Sequence, residues 1–372
     1  MSDYSAHDVL RLARRVNNTR RNYLLVNPLQ GKHMPVPPRA ALDMMKALGE
    51  RLARKYPDAR LIVGFAETAT AIGAAVASCF PPDCLYMHTT REELSAVQDW
   101  ILFQEEHSHA PEQKLVAEGF LRGLTDSPTV LFIEDEISTG RTLRNMICQL
   151  RGLLPGGEAR QMVAASIINR MSPENERMLA EAGIACECLV RLPEDDFTAA
   201  ADQFDVTAAR PVTGDAPACR PLRVNAAYAD PRQGVPVGEY NARLEEIIRQ
   251  ATAQLREALP QAGRLLVLGT EECMYPALML GRGLEEQGMQ VFSHATTRSP
   301  IGICSAEGYP ITAGWGLESL YQAGRRTFIY DLAAYDAAVI VTDASANAEQ
   351  GLRDLTAALA QAGTTNTFCL KL

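Results

Sequence analysis

The chain has 372 residues, of which 47% are hydrophobic and 22% charged, and its net charge is −9. This length is enough for two globular domains, and the acidic balance argues against a nucleic-acid surface as the main function. Nine cysteines without paired Cys-x-x-Cys spacing, no basic-then-apolar leader and no apolar run of membrane-spanning length favour the reducing cytoplasm.

The N-terminal part predicts a strand, a loop and a helix. Residues 20–38 favour a strand followed by a loop that Pro and Gly punctuate, and this loop places Lys32 and His33 beside Gly31. These two basic side chains are candidates for contacting a substrate, although a solvated turn explains them equally well. Apolar residues at helical spacing then predict a helix over residues 40–55, namely Leu42, Met45, Leu48 and Leu52.

Two strands and a long polar stretch come next. The strand Leu61–Gly64 runs into a turn and an alanine-rich helix. The strand Cys84–Met87 ends before a polar segment, residues 88–114, which separates it from a helix around residues 115–124. A polar insertion between regular elements is typical of a mobile lid over a site. Arg91, near the start of this segment, is a candidate contact for phosphate or pyrophosphate.

Histidines in this predicted lid raise the alternative of a zinc site. His107 and His109, with His88 as a third ligand, are of the residue type that binds Zn²⁺. Their spacing lacks the cysteines or tight His pairs of a closed site. A role of His107 and His109 in lid closure or in recognition of a base is therefore favoured over metal ligation.

The most informative stretch lies in the middle of the chain. The apolar run Val130–Ile133 predicts a buried parallel strand, and carboxylates follow at its carboxyl end. The hydroxyl-rich turn Ser138–Thr142 then leads into a helix, where free N–H groups and the helix dipole favour an anion and Gly140 allows close approach. Glu134 and Asp135 ahead of this turn suit the hydroxyls of a sugar phosphate, and the Gly-Lys-Ser/Thr triplet of a P-loop is absent. A helix N-cap with surface acids is the structural alternative.

This stretch resembles the phosphoribosyl pyrophosphate (PRPP) loop of type I phosphoribosyltransferases. The resemblance implies that Glu134 and Asp135 hold the ribose hydroxyls and are the catalytic acids. Purine-salvage members of the family carry an aspartate where this chain has Ser138, so ordinary purine salvage is not expected. The resemblance also implies that five turn residues bind the 5′-phosphate of PRPP: Ser138, Thr139, Gly140, Arg141 and Thr142.

The same resemblance assigns pyrophosphate to the turn that follows the strand Leu61–Gly64. Ala66, Glu67 and Thr68 occupy the place of the family's pyrophosphate loop, and Arg91 is a further contact. Glu67 is an unusual neighbour for pyrophosphate and is a candidate for binding Mg²⁺ through water. The implied cofactor is Mg²⁺, held through PRPP without an assigned direct protein ligand.

The next segments alternate strands and helices up to residue 190. A strand over 162–168, a helix over 173–182 and a strand over 184–190 predict a parallel sheet covered by helices on both faces. Prolines then punctuate residues 192–238, and the later part of this segment is expected to be an interdomain linker.

The second half begins with an amphipathic helix over residues 244–255 and contains a weak repeat of the first half. The copy lacks the acidic pair and the Thr-Gly-Arg-Thr turn. A degenerate duplication explains the repeat, and chance similarity between α/β units is the alternative. Three pairs of segments match: Gly64–Glu67 with Gly269–Glu272, Thr89–Arg91 with Thr296–Arg298, and Val130–Asp135 with Val339–Asp343.

The segment Ala295–Gly302 resembles the signature of the TRSP domain, which is named for the residues Thr-Arg-Ser-Pro found here at 297–300. That domain follows a phosphoribosyltransferase domain in proteins of bacterial tellurium-resistance gene clusters. The implied fold is α/β: a type I phosphoribosyltransferase-like parallel sheet flanked by helices, plus a C-terminal Rossmann-like domain that a degenerate duplication would explain. The expected domains are a phosphoribosyltransferase domain with an N-terminal hood over 1–205, a linker over 206–238 and a TRSP-like domain over 239–372.

The resemblance implies a glycosyltransferase that moves ribose 5-phosphate from PRPP to a base-like or other small acceptor and releases pyrophosphate. It places the enzyme in an accessory pathway for a nucleoside-like metabolite linked to tellurium or stress resistance. The alternative is a non-catalytic PRPP or nucleotide sensor, although such regulators usually add a DNA-binding domain. The expected partners are PRPP and a small acceptor, with neither membrane nor nucleic acid as a main ligand. A homodimer and contacts with other enzymes of the gene cluster remain open.

Overall fold

A computed structural model describes residues 4–16, 21–103, 113–125, 127–153, 160–193, 195–260, 263–344 and 349–372. The chain forms two compact units whose segments interleave along the sequence. This division differs from the consecutive ranges expected from the sequence. The first unit comprises Met1–Ala6, Asp43–Asp195 and Tyr228–Arg243, and the second comprises His7–Leu42, Asp196–Ala227 and Leu244–Leu372.

Strands of the described residues are numbered in chain order. They are β1 (Arg11–Arg14), β2 (Tyr23–Val26), β3 (Ala59–Gly64), β4 (Leu85–His88), β5 (Trp100–Phe103), β6 (Gln113–Val116), β7 (Thr129–Ile137), β8 (Gln161–Asn169), β9 (Ile184–Arg191), β10 (Arg210–Pro211), β11 (Arg220–Leu222), β12 (Val235–Pro236), β13 (Arg264–Gly269), β14 (Gln290–Ala295), β15 (Gly314–Glu318), β16 (Arg326–Tyr330), β17 (Ala337–Thr342) and β18 (Thr367–Lys371).

Helices of the described residues are numbered in the same way, and a short 3₁₀ helix spans Pro231–Gln233. The α-helices are α1 (Ala6–Val9), α2 (Pro38–Lys55), α3 (Thr70–Ala77), α4 (Ala117–Thr125), α5 (Arg141–Gly152), α6 (Pro173–Glu181), α7 (Thr198–Asp202), α8 (Val237–Ala258), α9 (Tyr275–Glu285) and α10 (Glu349–Gln361). None of these helices is both long and apolar enough to cross a membrane.

The first unit is built on a sheet with the strand order β12-β4-β3-β7-β8-β9. Only β12 is antiparallel to its neighbour, and the other pairs are parallel. The apolar runs of β3 and β7 are buried, because a parallel sheet is covered on both faces. Helix α3 packs against β3 through two glycines: a Cβ on Gly73 would lie 3.0 Å from the Cα of Gly64.

The second unit is built on the parallel sheet β11-β18-β17-β13-β14 and a smaller sheet, β10-β15-β16. The N-terminal hairpin of β1 and β2 belongs to this unit. Its apolar residues Ala13, Leu24 and Val26 share one core cluster with Ile301 and Tyr309. The segment expected as a hood of the first domain is thus part of the core of the second unit.

The second sheet repeats the strand order of the first, with β14-β13-β17-β18 in place of β4-β3-β7-β8. The backbone connection after the paired strands also repeats. The N–H of Thr89 donates to the carbonyl of Gly64 at 2.9 Å, and the N–H of Thr296 donates to the carbonyl of Gly269 at 3.1 Å. The two Thr-Thr-Arg segments therefore occupy the same place in their sheets, at the carboxyl ends of the strands.

A hairpin follows the Thr-Thr-Arg segment in both units. Thr90 forms an antiparallel bridge with Lys114 in β6, and Thr297 forms one with Phe328 in β16. Strands β5 and β6 pair antiparallel in the first unit, as β15 and β16 do in the second. The first unit then adds α4 before its next strand, whereas the described residues of the second unit have no helix between β16 and β17.

Three expectations about local structure need correction. Strand β7 extends to Ile137 because the equally long β8 continues to pair with it, so the acids lie inside the strand and not after it. The predicted lid, residues 88–114, includes β5 and the start of β6. The predicted linker, residues 206–238, contains β10, β11 and β12. Each of these three short strands contains a proline and lies at a sheet edge, where the missing N–H is tolerated.

Candidate active site

Three loops of the first unit meet at the carboxyl edge of its parallel strands. Strand β3 ends at Gly64 and its neighbour β4 ends at His88, while β7 continues past both. The N–H of Ala66 donates to Thr89 Oγ1 at 2.8 Å, which ties the turn after β3 to the loop after β4. This edge is where open α/β sheets bind ligands, because helix N-termini and free N–H groups gather there.

The three acids at the end of β7 have different environments. Side chains alternate along a strand, so Asp135 points to the face opposite to Glu134 and Glu136. Glu136 forms an ion pair with Arg170, whose Nε lies 2.6 Å from Glu136 Oε1 and whose side chain is 10% exposed. Glu136 therefore serves to join β7 to the end of β8, and Glu134 and Asp135 are left as the acids that can bind a ligand.

The pKa values of both candidate acids are raised. Burial, and secondarily the neighbouring Glu136, raises the pKa of Asp135 to about 6, while a hydrogen bond from Thr68 acts in the opposite direction. Burial and the charge of Asp135 raise the pKa of Glu134 well above its usual range, and nearby Arg91 partly offsets this effect. A cation at this edge would favour the ionised form of both carboxyl groups.

The turn between β7 and α5 has the geometry of an anion site. Gly140 is the N-cap of the helix with φ at 68° and has no side chain to cap α5, while Thr139 Oγ1 accepts from the N–H of Arg141 at 3.4 Å. A Cβ at Gly140 would lie 2.6 Å from Leu179 Cδ1 and 2.8 Å from the sulfur of Met171, so only glycine fits. Thr139, Arg141 and Thr142 are exposed and Ser138 is half-buried. The turn thus presents hydroxyls, a guanidinium group and free N–H groups to an incoming phosphate.

The turn after β3 brings the predicted pyrophosphate residues to the same edge. The peptide bond between Ala66 and Glu67 is cis, and Glu67 is buried. Thr68 donates a hydrogen bond to Asp135, and Arg91 is close enough to Glu134 to influence its pKa. The structure therefore brings the turn residues, Arg91 and the two acids of β7 together, although their sequence positions are far apart.

Other predicted site residues lie elsewhere. Lys32 is fully buried in the second unit, where its Nζ donates to the carbonyls of Glu271 at 3.1 Å and Thr296 at 3.2 Å. His33 is buried beside it, and burial together with the charge of Lys32 lowers the pKa of His33 to about 3. His107 and His109 lie outside the described residues.

The residues that the structure describes contain no group of three or more His, Cys, Asp or Glu side chains placed to hold a metal ion. The third histidine of the zinc alternative, His88, is buried with its Nδ1 2.8 Å from the carbonyl of Thr89. The carboxyl groups of Glu134, Asp135 and Glu67 are oxygen donors of the kind that Mg²⁺ prefers, but the described residues do not group them around one cation position. A magnesium ion at this edge would therefore be held mainly through the oxygens of a bound ligand.

A cavity of about 870 Å³ in the first unit is lined by residues other than the two turns and Arg91. Charged side chains line it, including Asp99, Glu118, Arg122 and Arg243, and none of its lining residues is a predicted site residue. The candidate site is therefore the open edge of the sheet and not this cavity.

Two residues that organise the site were not found from the sequence. Thr89 is fully buried and its hydroxyl donates to Gln113 Oε1 at 2.6 Å while accepting from Ala66, so it links three segments. Arg170 fixes the position of Glu136. The repetition of Thr-Thr-Arg in the two halves was a signal for Thr89, whereas nothing in the local sequence pairs Arg170 with the end of β7.

Comparison with protein families gives two matches that follow one another along the chain. Residues 9–193 match the family described as "Phosphoribosyl transferase". Residues 231–359 match the family described as "TRSP domain C terminus to PRTase_2". A search of curated proteins gives no match.

Solved structures similar to this chain include three phosphoribosyltransferases. The adenine phosphoribosyl transferase of Trypanosoma brucei is 15% identical, with a TM-score of 0.35, over 49% of this chain and 76% of that chain. The orotate phosphoribosyltransferase of Mycobacterium tuberculosis is 12% identical, with a TM-score of 0.31, over 50% of this chain and 90% of that chain. The corresponding adenine enzyme of Giardia lamblia is 14% identical, with a TM-score of 0.33, over 50% of this chain and 96% of that chain.

The order of the two family matches agrees with the order of the sequence signatures, the paired acids of β7 first and the Thr-Arg-Ser-Pro segment second. The α/β fold with its parallel sheet flanked by helices is the one that the sequence predicted. In this chain a match to the phosphoribosyltransferase family is therefore followed by a match to the TRSP domain.

Proposed function

We propose that the first unit transfers ribose 5-phosphate from PRPP to a small base-like acceptor and releases pyrophosphate. The observation that carries this proposal is the convergence of Glu134 and Asp135 with the helix-capping turn at Gly140 on one sheet edge. A sugar phosphate is the ligand class that uses both parts, because acids accept from its hydroxyls while the turn binds its phosphate.

In this proposal the acids of β7 hold the ribose. Glu134 and Asp135 accept hydrogen bonds from its hydroxyl groups, and ionised acceptors also stabilise the positive charge that develops on the sugar during transfer. Thr68 keeps Asp135 in position through its hydrogen bond. Magnesium, when bound, supplies positive charge that favours the ionised carboxylates and the leaving pyrophosphate.

The 5′-phosphate and the pyrophosphate of PRPP bind to two different turns, one after β7 and one after β3. Residues 138–142 bind the 5′-phosphate through N–H groups at the start of α5, with Arg141 as a charged contact. Ala66, Glu67 and Thr68 lie at the pyrophosphate, together with Arg91. Fixing both ends holds the anomeric carbon in place for the acceptor, which is the main source of rate in such a reaction.

The acceptor and the pathway are the finer part of the proposal. Ser138 in place of the aspartate of purine-salvage enzymes favours an acceptor other than an ordinary purine. The family of the TRSP domain supports an accessory pathway for a nucleoside-like metabolite linked to tellurium or stress resistance. A sensor that binds PRPP without turnover is the second candidate, and the raised pKa values of Glu134 and Asp135 are compatible with both functions.

A pyrophosphate-release assay separates these two functions. The full chain is mixed with PRPP, Mg²⁺ and a panel of bases and other small nucleophiles, and the release of pyrophosphate is followed. Transfer predicts release that depends on one acceptor class and disappears with Asp135→Asn. Saturable PRPP binding without acceptor-dependent release over the whole panel would favour the sensor.

A further inference from the structure

The turns after β3 and β13 carry different residues at the position two beyond their glycine. Ala66 lies two residues beyond Gly64 and its N–H donates to Thr89 Oγ1 at 2.8 Å. Glu271 lies two residues beyond Gly269 and its N–H donates to Thr296 Oγ1 at 3.0 Å. Because strand order and these bonds correspond, Ala66 and Glu271 are equivalent, as are the arginines that follow, Arg91 and Arg298.

The side chain of Glu271 occupies the anion position of the second unit. Its Oε2 lies 2.8 Å from the Nε of Arg298 and 3.0 Å from a terminal nitrogen of Arg325, and its Oε1 accepts from Ser319 Oγ at 2.5 Å. The carboxylate is 1% exposed, whereas the two arginine side chains are 16% and 15% exposed. Two guanidinium groups and a hydroxyl around one buried carboxylate form the environment that a phosphate would also require.

In the second unit, a side chain of the protein also contacts the acid that corresponds to Asp135. Gly64 pairs with Ile133 and Gly269 pairs with Val341, so Asp135 and Asp343 are equivalent. The hydroxyl of Tyr321 donates to Asp343 Oδ1 at 2.5 Å. Tyr321, Ser319 and Arg325 all lie in the connection between β15 and β16, so this hairpin tip supplies the groups that fill the copy of the site.

We propose that the second unit carries a copy of the ligand site that its own side chains fill. The carboxylate of Glu271 takes the place of the anion, and the hydroxyl of Tyr321 takes the place of the sugar hydroxyl. The residue at the position of Ala66 and Glu271 then decides whether the arginine of the loop binds an external anion. In the first unit the methyl group of Ala66 cannot form an ion pair with a guanidinium group, and the anion is the pyrophosphate of the ligand. This last part rests on the proposed function, whereas the occupation of the second unit does not.

The second unit is tested by chemical rescue of the full chain. Glu271→Ala leaves two arginines without their carboxylate and should lower the melting temperature by roughly 10 °C. Millimolar acetate or formate should restore part of this loss, compared with chloride at the same ionic strength, and should leave the wild-type melting temperature unchanged. Adding Arg298→Gln to Glu271→Ala should abolish the rescue. If Glu271→Ala fails to fold, Glu271→Gln, which keeps the volume, serves in its place and should show a smaller loss without rescue.

The first unit is tested by the reverse substitution. Ala66→Glu should place a carboxylate beside Arg91 and weaken PRPP binding at least tenfold, whereas Ala66→Gln, of the same size without charge, should weaken it less. One outcome is that acetate stabilises Glu271→Ala while Ala66→Glu binds PRPP as tightly as the wild type does. This result would support the proposal for the second unit and refute the role of Ala66 in the first. A Glu271→Ala protein that melts like the wild type, or that acetate does not stabilise, would overturn the proposal itself.

Discussion

Single residues decide which acids of the first unit are available for a ligand. The sequence identified Glu134 and Asp135 as a pair, because their position before a hydroxyl-rich turn is a local pattern. The sequence does not show that Glu136 has a structural role, because its ion-pair partner Arg170 lies at the end of another strand. It also placed Lys32 and His33 near a substrate, whereas both are buried among residues of the second unit, which a loop sequence does not reveal.

The pKa of Asp135 predicts how stability depends on pH. Burial raises this pKa from 3.8 to about 6, so between these values the folded state binds more protons than the unfolded state. The contribution of Asp135 to stability therefore falls as pH rises through this window and stays low above it. Asp135→Asn removes this loss and should stabilise the ligand-free protein by roughly 1–3 kcal/mol at pH 7 and by little at pH 4. Urea unfolding at a series of pH values measures this difference, and equal curves for both proteins would contradict it.

At the scale of elements, the strand–turn–helix unit of β7 and α5 was predictable because apolar periodicity and a glycine marked its parts. Its boundaries were less accurate: the strand continues through the acids because β8 pairs with it up to Asn169. The polar composition of residues 88–114 predicts a lid and does not reveal the hairpin of β5 and β6, because its strands have only four residues each. The prolines of 206–238 suggested a linker, although they lie in edge strands that complete three sheets.

The start of α5 makes a prediction about Gly140. A methyl group there meets Leu179 and Met171, and the backbone has a positive φ, so Gly140→Ala should destabilise the first unit by about 1–3 kcal/mol and displace the phosphate turn. Gly152→Ala, at the last residue of the same helix with no atom within 4 Å of the new Cβ, is the matched control and should be neutral or slightly stabilising. Thermal unfolding compares the two, and similar melting temperatures would show that Gly140 does not constrain the turn.

At the scale of the whole molecule, the sequence predicted the order of the two domains but not how their segments interleave. The family match begins at residue 9, yet residues 7–42 belong to the second unit and residues 228–243 to the first. Such assignments depend on contacts between distant segments, for example β12 with β4, which no local pattern encodes. The repeat of Thr-Thr-Arg, by contrast, predicted the shared strand order because it marks the same strand end in both sheets.

The interleaving predicts where the chain can be cut. A fragment of residues 1–205 lacks β12 and the start of α8, which cover β4 and place Tyr240 with its ring 6.0 Å from that of Tyr86. A fragment of residues 1–243 retains both. The longer fragment should resist proteolysis better and expose less apolar surface to a hydrophobic dye, because it completes the first sheet. Equal protease resistance of the two fragments would show that residues 228–243 are not needed by the first unit.

The central claim is that the acids of β7 bind PRPP, and calorimetry of PRPP in the presence of Mg²⁺ tests it most directly. Asp135→Asn removes a charged hydrogen-bond partner of the ribose and should weaken binding by roughly 1.5–3 kcal/mol. Asp343→Asn changes the equivalent residue of the second unit and should leave PRPP affinity within about twofold of the wild type, a difference of about 0.4 kcal/mol. Wild-type binding that Asp135→Asn does not weaken, or that Asp343→Asn weakens equally, would contradict the assignment of the site.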